Sequence, residues 1–416
     1  MTNRSGIPNK TLRSNYRFLA SVQALLCALT IFSTQSMQAQ TLHVLYTLAD
    51  PPGGGLSGLT FDHAGNLYGT TYYGTPETVF ELRHVHSSWL FQPLYDFHPE
   101  NDGHGPFAPV VFGPDGALYG TTVQGGYGGF LGEGTVFRLQ PSPVPCDSTF
   151  CLWNETRVHW FGAFHDVMDG SNPFFGPLIF DPDGNIYGTT VHGGLYDQGT
   201  AFQLVKTQNG WAEDIIANLT SNGSPEDTVS GLAFNSAGSL FGTISMAGSF
   251  GQVFELTRSG QGWNKQTIYS FQGGSDGAFP LGGLVFDTHG NAYGTTAGFN
   301  QVQPATVFEL SPQSDGTWTE TVLYIFPGNG PTNNLTMDAH GNMYGTTPGT
   351  PGINPDHNGM VFKLSRVGDS WTFTQLYEFT GGADGSLPGG RVAVDSAGNI
   401  YGVTDAQPGT IWELTQ

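Results

Sequence analysis

Charge is scarce in this sequence: only 11% of its 416 residues are Asp, Glu, Lys or Arg. Cysteine is scarcer, with three copies, and after residue 40 nine basic side chains stand against 34 acidic ones. Runs with helical period are missing outside the N-terminus, and no second long apolar stretch follows the one found there. Each shortage excludes something. A surplus of carboxylates repels the phosphates of nucleic acid and the surfaces of anionic membranes. Without a second apolar run there is no candidate membrane span in the main part of the chain. The two cysteines beyond residue 40 have no matching pair of histidines, so they do not read as a zinc site. A Gly-x-Ser-x-Gly elbow, a phosphate-binding loop and a dinucleotide fingerprint are all absent. A catalytic site assembled from distant segments would leave no such local trace.

What the chain has in abundance is glycine, 61 copies, and aromatic residues, 13%. That combination means many turns around a large apolar core with few helix formers. The first 40 residues stand apart. Arg4, Lys10, Arg13 and Arg17 lead into the apolar run Phe18–Phe32, and small and polar residues follow. The pattern predicts a secretory signal peptide over residues 1–40, cleaved near Ala39, although Met37 is larger than the residue such sites prefer. Cys27 follows Leu26 rather than the small residue of a lipoprotein site. The expected location is therefore outside the cell, in the periplasm or in the cell envelope. In that setting Cys146 and Cys151 are expected to form a local disulfide, closing a loop worth roughly 2 kcal/mol.

Residues 41–416 repeat. A Tyr-Gly-Thr triplet, or a close variant, recurs at Tyr68, Tyr119, Tyr187, Phe241, Tyr293, Tyr344 and Tyr401, at spacings of 51, 68, 54, 52, 51 and 57 residues. The long spacing holds the insertion Gln140–Glu155. A period of this size built from short alternating strands predicts a β-propeller. Each unit divides into four strands, exemplified by Leu284-Val285-Phe286, the Tyr293 triplet, Val307-Phe308-Glu309-Leu310 and, preceding them, Ile268-Tyr269-Ser270-Phe271. The segment His43–Leu48 is a strand of the fourth kind, and Ile411–Leu414 is one of the third kind. Joined, they complete one blade. The fold expected is all-β: a single domain of seven four-stranded blades, closed by an N-terminal strand that completes the C-terminal blade, and monomeric.

Two motifs punctuate each unit. The turn Asp-x-x-Gly-Asn begins at Asp62, Asp181, Asp287, Asp338 and Asp395, with Gly113 and Asn235 in the other two places. Its carboxylates could bind calcium, but the same residues make a hairpin turn, with Asp bonding its own backbone and Gly supplying positive φ. The replacements at 113 and 235 argue for the turn. An Asp-Gly pair precedes the first strand at Asp102, Asp169, Asp276 and Asp384. Those loops should share a face with the variable loops carrying Tyr72, Tyr73, Tyr127, Phe130, His192 and Tyr196. Carboxylates beside exposed aromatic rings on a rigid scaffold suit a carbohydrate or a peptide surface, so these ten residues are the expected ligand-binding set. The twelve histidines show no metal-ligand spacing, and His84 with His86 is the closest pair.

Asp395-Ser-Ala-Gly-Asn-Ile-Tyr-Gly402 resembles the NHL type of propeller repeat. The longer run Tyr269-Ser-Phe271, Asp276-Gly277, Leu284–Asp287, Gly290-Asn291, Tyr293–Thr296 and Val307–Leu310 resembles the GloVer tandem repeat of exported bacterial proteins. The resemblance extends over residues 41–416 and implies export and repeat architecture; it carries no catalytic residues. The function expected is that of an exported, non-catalytic binding or interaction propeller, its ligand a carbohydrate or a cell-surface protein. The alternative is a lactonase-like or lyase-like hydrolytic propeller with a divalent cation at the central channel. That alternative requires three or more Asp, Glu, His or Asn side chains to converge at the channel mouth.

Overall fold

The structure, a computed structural model, describes residues 40–48, 55–72, 76–86, 88–98, 102–126, 132–142, 152–162, 169–174, 176–219, 230–246, 250–260, 262–298, 303–328, 330–349, 358–368, 370–406 and 408–416. The signal segment and the expected disulfide between Cys146 and Cys151 lie outside them. Residues 40–416 form one compact unit. Among the described residues no helix is long and apolar enough to cross a membrane.

Seven four-stranded antiparallel sheets follow one another. We number the blades by their second strands: Leu67–Thr71, Leu118–Thr122, Ile186–Thr190, Leu240–Ile244, Ala292–Thr296, Met343–Thr347 and Ile400–Thr404. Blade 7 is completed by Thr41–Thr47, which pairs with Thr410–Thr415 in a register that places Thr41 opposite Thr415 and Val44 opposite Trp412. The ring closes as its ends foretell.

The strand lengths differ from the sequence reading. In blades 1 to 6 the first strand pairs over only two residues, such as Val285–Phe286, whereas the fourth runs far beyond the apolar segment seen in the sequence, as in Gly262–Ser270. The outer half of that strand alternates exposed and half-buried side chains, so its pattern is diluted by polar residues such as Asn264 and Gln266.

Each letter of the repeated triplet has a physical reason. A Cβ on Gly294 would stand 2.5 Å from the Phe308 ring, and the same closeness recurs from Gly69 on Phe80 to Gly402 on Trp412. The glycine lets the third-strand ring lie flat across the second strand. The first threonine reaches the next blade: Thr70 Oγ1 donates to the Pro106 carbonyl at 2.6 Å, Thr189 to that of Ser230 at 3.1 Å, and Thr295 to that of Asn333 at 3.3 Å. The second threonine meets the threonine that opens the third strand, as in Thr296 with Thr306 at 2.9 Å and Thr404 with Thr410 at 2.8 Å. The tyrosine hydroxyl donates to the turn carboxylate, Tyr293 to Asp287 at 3.1 Å.

That turn is a closed hydrogen-bond system. Asp287 Oδ1 accepts from the backbone nitrogens of His289 and Asn291 at 2.8 and 2.9 Å, and Oδ2 accepts from the Asn291 side chain at 2.9 Å. Burial alone would raise this carboxyl, but the bonds from Asn291, His289 and Tyr293 outweigh it and hold the group below its usual range. The turns at Asp62, Asp181, Asp338 and Asp395 repeat the geometry. Asp115 takes over the role where Gly113 stands, accepting from Tyr119 at 3.0 Å. Asn235 stands where Phe241 removes the hydroxyl. The carboxylates serve the hairpin, with their lone pairs already occupied.

Apolar clusters fill the spaces between adjacent blades. One joins Phe241 and Val253 of blade 4 to Leu284, Phe308 and Leu310 of blade 5, all of them buried. Fully burying such a side chain contributes about 1.5–3 kcal/mol.

Candidate functional site

The segments approaching the first strands line the axis of the ring. Counting four residues back from the start of each turn gives Gly58, Pro109, Pro177, Gly231, Gly283, Asn334 and Arg391. A Cβ on Gly58 would stand 2.8 Å from the Arg391 nitrogen and 3.2 Å from the Pro109 ring; one on Gly283 would stand 3.1 Å from Asn334. These positions touch from blade to blade, and six of the seven carry Gly, Pro or Asn. The seventh carries Arg391. Among these positions lies a cavity of about 360 Å³, lined by segments 56–60, 332–334 and 387–391 together with Phe107, Pro109, Phe174 and Pro177.

Backbone chemistry shapes the approach to the cavity. Asn172, Phe279 and Leu387, each preceding a proline, have φ of 56°, 61° and 56°, and Gly105 occupies the same place with φ 70°. A left-handed residue before proline reverses the chain toward the axis, at a cost for any residue but glycine. The carbonyls of these same residues then accept from the second-to-third-strand loops: Phe279 from Ala297 N at 3.0 Å, Asn172 from Val191 N at 3.1 Å, and Leu387 from Asp405 N at 3.0 Å. The expected sharing of a face by these two sets of loops is thus a paired backbone.

Within the cavity, Tyr72, Phe107 and Phe174 form a stepped aromatic wall. The first two rings are 4.5 Å apart at 36°, and the next pair is 4.5 Å apart and stacked at 19°. The Tyr72 ring lies over Gly55, where a Cβ would come within 2.1 Å of it. Arg391 and Asp405 are the two charged residues of the lining. The Arg391 side chain is solvent-exposed. The density of protein atoms around it pulls its guanidinium below the ordinary value, though it remains a cation at neutral pH. Its Nε donates to Thr336 Oγ1 at 3.2 Å. Asp405 is raised by burial, despite accepting from Leu56 N at 3.1 Å and from the Tyr72 hydroxyl. Asn334 Oδ1 already accepts from Gly283 N at 2.6 Å. Asp405, Asn333 and Asn334 are the Asp, Glu, His or Asn side chains of the lining, and two of those three are committed to backbone donors.

A second group of polar residues lies where the outer strands of neighbouring blades meet. Asp102 accepts from the Tyr95 hydroxyl, Asp276 from Tyr269 at 2.5 Å and Asp384 from Tyr377 at 3.0 Å. Each of these carboxylates also accepts from the backbone nitrogen three residues after its tyrosine, that of His98, Gln272 or Thr380. In blade 2 the tyrosine position, opposite the valine of the third strand, is His159. His159 Nε2 lies 3.7 Å from Asp169 Oδ1 and 3.5 Å from Glu213 Oε2 of blade 3. Burial, then the nearby Asp169 carboxylate, push the Glu213 carboxyl up to about 9.

The expected ligand-binding residues thus fall into separate places. Tyr72 lines the cavity. Asp102, Asp169, Asp276 and Asp384 lie at the seams between blades. His192 is half-buried on a two-residue strand paired with Gly170–Ser171, and Tyr196 is exposed on the turn that follows. Tyr73, Tyr127 and Phe130 lie outside the described residues. Sequence reasoning missed Arg391 and the His159 cluster. Aligning the seven units column by column would have found both: one arginine among small residues, and one histidine in the tyrosine column.

The profile of the Gloeobacter/Verrucomicrobia repeat matches residues 173–412. The chain belongs to that family. The repeat protein is also similar in fold to virginiamycin B lyase from Staphylococcus aureus, with 13% identity and a TM-score of 0.58 over 91% of this chain and 99% of the other. The extracellular domain of a hybrid two-component system from B. thetaiotaomicron gives 12% identity and a TM-score of 0.56, over 91% of this chain and 40% of the other. At such identities the likeness concerns the fold alone. No curated protein matches the sequence.

Proposed function

We propose that the protein is an exported, non-catalytic binding propeller whose ligand is a carbohydrate bearing a carboxylate, held in the central cavity. The observation that carries this reading is the opposition of one guanidinium, Arg391, to the stepped wall of Tyr72, Phe107 and Phe174 in a space of about 360 Å³. Aromatic faces suit the apolar face of a sugar ring, and an arginine fork suits a carboxylate. The volume matches a small ligand. His192 and Tyr196 are assigned to the rim, where a longer glycan would run, and Tyr73, Tyr127 and Phe130, outside the described residues, are kept as candidate contacts of the same ligand. Asp102, Asp276 and Asp384 are assigned to holding that rim in place. A hydrolytic reading is less well supported, because of the three Asp or Asn side chains of the described lining two, Asp405 and Asn334, already accept from backbone nitrogens.

The test is calorimetry and array binding with the secreted protein, comparing uronic-acid oligosaccharides with their neutral counterparts. Acidic sugars should bind, and Arg391→Gly should weaken them at least tenfold, in line with about 1.5–3 kcal/mol for a charged hydrogen bond. Equal binding by the variant, or no binding by either, would reject the assignment. Consumption of the sugar would make the protein an enzyme. Intact mass of the secreted form tests cleavage near Ala39.

A further inference from the structure

His159, Asp169 and Glu213 bring three potential ligand atoms within 4.8 Å of one another at the seam between blades 2 and 3. At the seams after blades 1, 4 and 6 a tyrosine hydroxyl satisfies the loop carboxylate, but the His159 ring stands 3.7 Å from Asp169 Oδ1, beyond hydrogen-bond distance. His159 Nε2, Asp169 Oδ1 and Glu213 Oε1 are left buried with no hydrogen-bond partner. The Asp169 side chain is only 8% exposed, and its unpartnered oxygen is the atom that faces the imidazole. Polar atoms left unpaired in so buried a place are costly unless something binds them.

We propose that this seam is a zinc site, with His159, Asp169 and Glu213 as ligands and the fourth position open to water. Tetrahedral ligands held about 2.0–2.1 Å from the ion lie about 3.3 Å apart, close to the 3.5 and 3.7 Å found between His159 and its two carboxylates. Small side-chain shifts would close the site. One imidazole nitrogen with two carboxylates suits zinc, whereas calcium takes six to eight oxygens. His159 and Glu213 sit on the outer strands Asn154–Trp160 and Gly210–Asn218, and Asp169 lies in the segment between these blades. An ion there would tie the outermost strands of two blades together.

The test uses the full mature chain stripped with chelator and titrated with zinc chloride against a chromophoric competitor, alongside thermal melts. The wild type should take up one zinc per chain at this site and melt at higher temperature with zinc than without, while calcium changes neither. His159→Tyr gives this seam the side chain found after blades 1, 4 and 6, so it should fold, melt as the metal-free wild type does, and lose the zinc-dependent rise. Glu213→Gln should weaken zinc by at least about tenfold, the lower end of what even outer-shell changes cost. Zinc uptake that is the same in wild type and both variants would overturn the site. A wild type that binds no zinc would do so too. Zinc that binds without raising the melting temperature would overturn the tie between blades.

Discussion

The ring of Tyr324 lies flat on that of Phe373, with centroids 3.9 Å apart and planes inclined by 5°. The two residues belong to the outer strands of blades 5 and 6. Tyr46 and Phe91 repeat the relation where blade 7 meets blade 1, at 4.4 Å and 9°. Two solutions recur among the seams that carry a tyrosine. Where the second blade offers a phenylalanine, the tyrosine stacks on it. Where it offers a glutamate, as at Glu155 and Glu320, the tyrosine turns its hydroxyl to a loop aspartate.

Removing the stack should cost stability in proportion to the half-burial of the ring. Phe373→Ala is expected to lose about 2–3 kcal/mol, less than a fully buried phenylalanine because the ring is part-exposed. Phe91→Ala should lose a similar amount and loosen the closing seam. Urea unfolding followed by tryptophan fluorescence measures both.

Two glycines four residues apart in one hairpin should respond differently to alanine. Gly294→Ala drives a methyl into the Phe308 ring, and an overpacked core loses typically about 1–3 kcal/mol. Gly290→Ala meets nothing within 4 Å and suffers only from its φ of 88°, about 1–2 kcal/mol. A larger loss at Gly290 than at Gly294 would contradict the packing explanation.

Acid should unfold the protein through its turns. Asp62, Asp181, Asp287 and Asp338 are all buried enough to rise, yet are held below their usual value by the asparagine, backbone and tyrosine bonds. Their folded value is the lower one. Their stabilisation is complete above the unfolded carboxyl range and is lost as pH falls through the folded value. Melting temperature should therefore drop below about pH 4, the unfolded aspartate range. Asp287→Asn should flatten that drop and lower the plateau above it.

Glu320 should act in the opposite direction. Burial first, then the Asp276 carboxylate, raise it to about 7. Its folded value is the higher one, so its contribution is complete below the unfolded range and is lost as pH rises through about 7. Glu320→Gln should be the more stable protein at pH 8 relative to wild type than it is at pH 5. A melting difference that does not change with pH would mean that Glu320 is already ionised in the fold.

The architecture was legible because the signal was repeated. The Tyr293 triplet, the Asp287 turn and the Val307-Phe308 pair each recur, and each does one mechanical task in every copy. The complementary strands at Thr41–Thr47 and Thr410–Thr415 disclosed closure for the same reason. Sites are the converse case, since they lie where one copy departs from the others. Arg391 differs from six small residues, and His159 differs from tyrosine, but neither belongs to a local motif. The aspartates at 102, 276 and 384 drew attention by recurring with glycine, and recurrence in this chain marks structure: a tyrosine seven residues earlier donates to each. The long outer strands were missed because solvent interrupts their apolar pattern.

Ring closure also imposes an order in time. Thr415 Oγ1 donates to the Thr41 carbonyl across a sequence separation of 374 residues, so the first strand of the ring is synthesised long before its partner exists. Until the last turn of chain emerges, Thr41–Thr47 is an unpaired β-edge, free to recruit the wrong strand. Contacts between residues so distant in sequence are costly to close and slow folding. A chain shortened by its final six residues would lose more than one strand: its first would have no place to go.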